Sequence, residues 1–157
     1  MESVPHRIEV PNAILLGEVK EALRGGHSVL INVKGYSMRP FLESGRDKVR
    51  LSPVSTLQVG DAVLAEIRKD TYVLHRIVAI EGDGLTLMGD GNLRGVEHCR
   101  RSDVAGVVTC YVRRGRDIEA SDPRLCRRVR LWRRLLPLRR YLLCVYKIQL
   151  KLSNLLR

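Results

Sequence analysis

The chain has 157 residues, 45% of them hydrophobic and 29% charged, with 28 Lys and Arg against 17 Asp and Glu. That length suits one domain, alone or with an appendage, and can bury a core without a metal or a disulfide. Thirteen Gly and six Pro exclude a collagen-like or low-complexity polymer, and no run of about 18 apolar residues offers a conventional membrane span.

The charge is uneven. Residues 121–157 hold 11 of the cations and one of the acids, which leaves residues 1–120 close to neutral. The expectation is a domain over residues 1–120 carrying a separate basic segment over 121–157. Residues 1–10 lack a basic region followed by an apolar core, so no secretory signal is expected. Cys99, Cys110, Cys126 and Cys144 include no CxxC pair and have no His at finger-like spacing. They read as reduced, apolar packing thiols, with no metal and no cofactor expected.

Asn12 is positioned to cap a helix from about Ala13 to Arg24, with Ile14, Leu15, Val19, Ala22 and Leu23 as its apolar face. Gly25-Gly26 stops it. Residues 28–34 read as a strand, residues 35–42 as a turn or short helical piece, and residues 47–51 as a short strand. A loop over 53–60 precedes strands at 61–68, 71–80 and 85–88, separated by Lys69-Asp70 and Gly82-Asp83-Gly84. Gly89-Asp90-Gly91-Asn92 is another tight turn, and His98 falls in a connection. A last pair, 104–113 and 117–119, is joined through residues 114–116. The expected fold is mainly β and antiparallel, with an N-terminal helix and an appended basic C-terminal helical segment.

Residues 122–157 read as two helical stretches broken by Pro137. Leu125, Val129, Trp132 and Leu136 keep helical spacing in the first. In the second, Arg139, Arg140, Lys147, Lys151 and Asn154 share one side, while Tyr141, Leu142, Val145, Ile148, Leu152 and Leu155 take the other. A cationic stripe opposite a broad apolar face is the pattern of a helix lying in a membrane interface. Arg133, Arg134, Arg139, Arg140, Lys147 and Lys151 are the candidate contacts to an anionic membrane. Packing on a partner helix and binding nucleic acid are the alternative uses of such a segment. The regular interleaving of Leu with the cations disfavours nucleic acid.

Three residues could carry chemistry. Ser37 lies in a glycine-containing turn after a strand, where a base could activate its hydroxyl and nearby N–H groups could receive an oxyanion. His75 lies on the most apolar strand and faces with Val73 and Ile77. Burial favours the neutral imidazole that a general base requires. Asp90 could orient that imidazole. Each also has a purely structural reading: a turn serine, a core histidine, and a Gly-Asp-Gly turn like Gly82-Asp83-Gly84.

Their order points further. Gly35-x-Ser37-Met38-x-Pro40, Gly60-Asp61 opening a strand, His75-Arg76-Ile77-Val78, Gly89-Asp90-x-Asn92 and residues 103–108 together resemble the signal peptidase family. More broadly the set is similar to the clan shared with the LexA-type self-cleaving repressors, over roughly residues 28–113. The resemblance implies a LexA/signal-peptidase-like β fold and a serine endopeptidase that removes leader or signal segments. Ser37 would be the nucleophile, His75 the general base and Asp90 its helper. A histidine base resembles the archaeal and endoplasmic-reticulum type, since bacterial members generally use a lysine; Lys69, in the preceding turn, is a poor substitute. Met38 and Pro40, beside the nucleophile, become substrate-binding candidates.

The pattern departs from the family in three places. Gly35 stands where many members carry a serine that assists the oxyanion, so the oxyanion candidates are Gly35 and the Ser37 N–H. Val96 stands where His-type relatives often have a further acid, with Glu97 beside it. No spanning anchor is evident. Too few residues precede the core for a DNA-binding domain, so a trans-acting peptidase is expected, peripheral on the cytoplasmic side of an anionic membrane. The rivals are an inactive membrane-associated binding module and a basic nucleic-acid-binding protein.

Overall fold

A computed structural model describes residues 12–156. The N-terminal stretch read for a secretory signal, and the side chains of Asn12 and Ile14, lie outside the described residues. Helix α1 spans Asn12–Arg24. Strands β1 (Val29–Asn32), β2 (Lys48–Ser52), β3 (Ala62–Arg68), β4 (Thr71–Glu81), β5 (Gly84–Met88), β6 (Glu97–Arg100), β7 (Val104–Arg113) and β8 (Arg116–Glu119) follow. They form one eight-stranded antiparallel sheet in the order β1-β2-β7-β3-β4-β5-β6, with β8 also paired to β7.

The strands lie where Val, Ile, Leu and Thr alternate with polar residues, because such side chains fit a pleated surface that is buried on one face. Asp70 turns β3 into β4 with a left-handed backbone (φ 57°), and its N–H donates to Glu66 Oε1 at 3.0 Å. Strand β6 is a correction to the sequence reading, which put His98 in a connection. Glu97-His98-Cys99-Arg100 has no apolar alternation; β5 recruits it through its backbone, pairing Leu85 with Cys99 and Thr86 with His98.

The C-terminal segment is not wholly separate from the body. Helix α2 (Pro123–Arg134) starts with Asp122, whose carboxylate accepts from the N–H groups of Arg124 and Leu125, and with Pro123 in the first turn. It buries Leu125 and Val129 in the same core as Leu42, Leu51 and Tyr111, with Trp132 packed against that cluster. A short 3-10 turn, Leu136–Leu138, holds Pro137 and leads into α3 (Arg139–Leu155). Among the described residues no helix is long and apolar enough to cross a membrane.

The link from β1 to β2 is knotted down by a fully buried carboxylate. Asp47 accepts from the Arg46 guanidinium at 2.8 and 2.7 Å, from the Glu43 N–H at 2.8 Å and from the Arg114 N–H at 3.3 Å. Burial pushes the Asp47 carboxyl up, but the Arg46 and backbone donors outweigh it and hold it below the ordinary carboxylate range. A depressed folded value means that its stabilisation is complete above the unfolded value of about 3.9 and is lost as pH falls through the folded one. Urea midpoints should therefore drop on acidification below about pH 4. Asp47→Asn should lower the midpoint at neutral pH and flatten that acid limb; an unaltered limb would contradict the assignment.

Candidate active site

Ser37 is held at the surface by its neighbours. Met38, Phe41 and Leu42 are buried in the main core, which pins the segment and leaves Ser37 only partly covered. Gly35 takes a left-handed backbone (φ 78°) just before it. The Ser37 carbonyl accepts from the Gly91 N–H at 2.7 Å, so the serine is tied to the 89–92 turn. The contact is close enough to demand glycine: a Cβ at Gly89 would lie 2.5 Å from the Ser37 carbonyl oxygen, and one at Gly91 2.7 Å from that of Tyr36. Neither the N–H nor the hydroxyl of Ser37 bonds another described residue. No hydrogen bond joins Ser37 to His75.

The 89–92 turn follows β5 directly after Met88, which pairs with Arg76 on β4; it therefore extends the ladder toward His75. His75 is 6% exposed, and its Nδ1 lies 2.8 Å from Glu97 Oε2. The register explains the pair. Glu97 opposes Leu87, Leu87 opposes Ile77, and His75 is two residues before Ile77, hence on the same face. A carboxylate accepting from Nδ1–H places the proton there and leaves Nε2 as a free acceptor.

Asp90 does not orient His75. Its carboxylate is nearly fully buried against Arg76, with Nε at 2.8 and 3.1 Å and Nη2 at 2.6 Å. Arg76 and His75 are adjacent on a strand, so their side chains leave opposite faces, and a carboxylate seated on one is turned away from the other. The Arg76 guanidinium also donates to the Gly60 carbonyl at 2.7 Å and to the Tyr111 hydroxyl at 3.4 Å. Burial works against the Arg76 charge; Asp90 and Tyr111 outweigh it and hold the guanidinium protonated more firmly than in water. The acid that faces His75 is Glu97, which the sequence offered only as the neighbour of a vacant position.

Other candidates also move. The Gly35 N–H donates to Ser44 Oγ at 3.1 Å and is not available to an oxyanion, which leaves the Ser37 N–H for that task. Met38 is 2% exposed and serves the core, so it cannot line a substrate site. Pro40 is half-buried, with its carbonyl accepting from Arg113 Nη2 at 3.4 Å. Arg133 donates to the Val78 carbonyl at 3.2 Å. Arg139 is 4% exposed, so it cannot reach a membrane. It donates to the Asn92 carbonyl at 2.9 Å and lies over the Trp132 ring, 5.4 Å from its centroid. Burial pushes Arg139 below the ordinary arginine range, with Asp90 partly offsetting it.

The C-terminal helices thus brace the site from behind. Trp132 Nε1 donates to the Asp90 carbonyl at 2.8 Å, and the Trp132 and Phe41 rings meet edge to face at 6.3 Å. Tyr146 donates to Glu43, which pairs in turn with Arg39, two residues after the serine. Helical spacing grouped Trp132 with Leu125 and Val129, but nothing local in the sequence assigned these partners. Burial pushes the Cys99 thiol, two residues from Glu97 on β6, up to about 11, away from the thiolate a nucleophile needs.

Removing one partner of a buried ion pair leaves the other charge uncompensated. Asp90→Ala should lower folding stability by about 3–5 kcal/mol in urea titrations, whereas Glu97→Gln should cost far less. Equal losses would contradict the division of labour between the two acids. No protein-family model and no curated protein matches the chain.

Proposed function

We propose that the chain is a serine endopeptidase of the signal-peptidase type that removes leader or signal segments from peptide or protein substrates. The observation that carries this reading is the His75–Glu97 pair at 2.8 Å, which leaves Nε2 as a base on the strand beside the turn that anchors Ser37. Ser37 supplies the nucleophile. As its oxygen attacks the scissile carbonyl carbon, the hydroxyl proton passes to His75 Nε2, and Glu97 stabilises the imidazolium. The Ser37 N–H, which has no other hydrogen-bond partner among the described residues, donates to the developing oxyanion. His75 returns the proton to the departing amine as the peptide bond breaks. Water, deprotonated by His75, then hydrolyses the acyl ester and restores the serine. The transfer requires Ser37 Oγ and His75 Nε2 to come within hydrogen-bond reach in the substrate complex, since no hydrogen bond joins them in the free chain.

The substrate class follows from the family resemblance: leader segments of small exported or modified peptides, cut after small residues. The order of the Ser37, His75 and Gly89–Asn92 motifs supports it, as does the site acid found one position from the family's. A membrane-associated binding module that has lost its activity is the rival reading.

The test is turnover of a peptide library by the full chain. Wild-type protein should cleave; Ser37→Ala should abolish cleavage, and His75→Ala should lower it by about 10²–10⁴-fold. Glu97→Gln should cost less than His75→Ala. Cleavage that survives Ser37→Ala, or that His75→Ala leaves unchanged, would overturn the assignment.

A further inference from the structure

Helix α3 uses one face to hold the body and presents another away from it. Arg139, Leu143, Tyr146 and Leu150 recur every three or four residues and are buried or half-buried. Arg139 and Tyr146 bond the Asn92 carbonyl and Glu43. Tyr141, Val145, Ile148, Leu152 and Leu155 recur on the opposite side, and each is more than half exposed. A row of large apolar side chains over four turns of one helix is more than the scattered apolar exposure of an ordinary surface.

Charge decides what fits that row. Arg140, Lys147 and Lys151 lie along one flank of it at about 100° per residue. All three are exposed and make no hydrogen bond or ion pair to another described residue. Lys147 and Lys151 continue with Arg114 into the wall of a groove of about 970 Å³ beside the 39–46 segment. No acid follows Asp122 in the chain. A second copy of α3 laid on the row would bring no acid to these cations, since its own helix carries none. A bilayer with anionic headgroups supplies both the apolar layer and the opposite charge.

We propose that α3 docks on an anionic membrane surface, inserting Tyr141, Val145, Ile148, Leu152 and Leu155 between the headgroups while Arg140, Lys147 and Lys151 contact the lipid phosphates. Arg139, counted with these cations on sequence grounds, is excluded because it is buried beneath the helix. The inner face stays packed on Glu43, Asn92 and Trp132 throughout, so docking requires no unfolding of the brace behind Ser37. The helix lies in the interface and does not cross it.

The experiment is co-sedimentation of the full chain with phosphatidylcholine vesicles and with phosphatidylcholine–phosphatidylglycerol vesicles, at low and high salt. The chain should bind the mixed vesicles, much less the neutral ones, and less at high salt. Ile148→Asp combined with Leu152→Asp should abolish binding. Lys147→Glu combined with Lys151→Glu should weaken it by at least about tenfold, since each cation near an anionic surface is worth roughly fivefold. These side chains point outward, so melting temperatures should stay near that of the wild type. Ser37→Ala should bind as the wild type does, which separates this result from the outcome of the peptidase assay. Equal binding to neutral vesicles, no binding to mixed ones, or binding that survives the aspartate pair would overturn the proposal. A dimer in sedimentation equilibrium that the aspartate pair dissociates, without vesicle binding by the wild type, would assign the row to a second copy instead.

Discussion

Arg76 and Asp90 form a buried ion pair in which each partner keeps the other's charge tolerable, and each then spends its remaining polar capacity on a different part of the chain. Arg76 reaches the Gly60 carbonyl and the Tyr111 hydroxyl, and lies over the Phe41 ring at 5.3 Å from its centroid. Asp90 offers its backbone carbonyl to Trp132. One pair thereby joins β4, β7, the 89–92 turn, the Ser37 segment and α2. Desolvating two charges is costly, and the geometry needed to offset that cost is restrictive. The pair thereby anchors the 89–92 turn, whose Gly91 N–H holds the Ser37 carbonyl.

That arrangement changes what the C-terminal helices mean. Their composition describes a basic appendage, and their outer surface is one. Their inner surface completes the core through Leu125, Val129 and Leu143 and contacts the site turn through Trp132 and Arg139. A single helix can serve both purposes because its faces are separate: about 100° per residue sends Tyr146 and Ile148 in opposite directions although they are two residues apart. A cation counted on such a helix belongs to the solvent only if the fold leaves it there. Arg140 is left there, and its neighbour Arg139 is not.

The two acids make the same point at the site. Asp90 sits in the Gly-Asp-x-Asn turn that a motif reading selects, yet the strand alternation that turns His75 one way turns Arg76 the other, and the turn lies on the arginine's side. Glu97 sits in a polar stretch with no strand pattern. It reaches His75 because β6 joins β5 in a register that puts Glu97 opposite Leu87. That register is set by backbone pairing, which leaves little trace in side-chain identity at a sheet edge.

By itself the sequence determined the antiparallel strands from β1 to β8 other than β6, the helices on either side of Pro137, and the turns at Lys69-Asp70 and Gly82–Gly84. Periodicity, breakers and turn residues are local, and these elements are local too. It also placed Ser37 in a glycine turn and His75 on a buried strand. Only the tertiary structure decided that Glu97 and not Asp90 faces the imidazole, that Met38 belongs to the core, that the Gly35 N–H is occupied by Ser44, and that Arg139 is buried while Lys147 and Lys151 are free. Each of these depends on which distant segment fills the space around a side chain, and the pairing of segments far apart in sequence is a property of the packed fold.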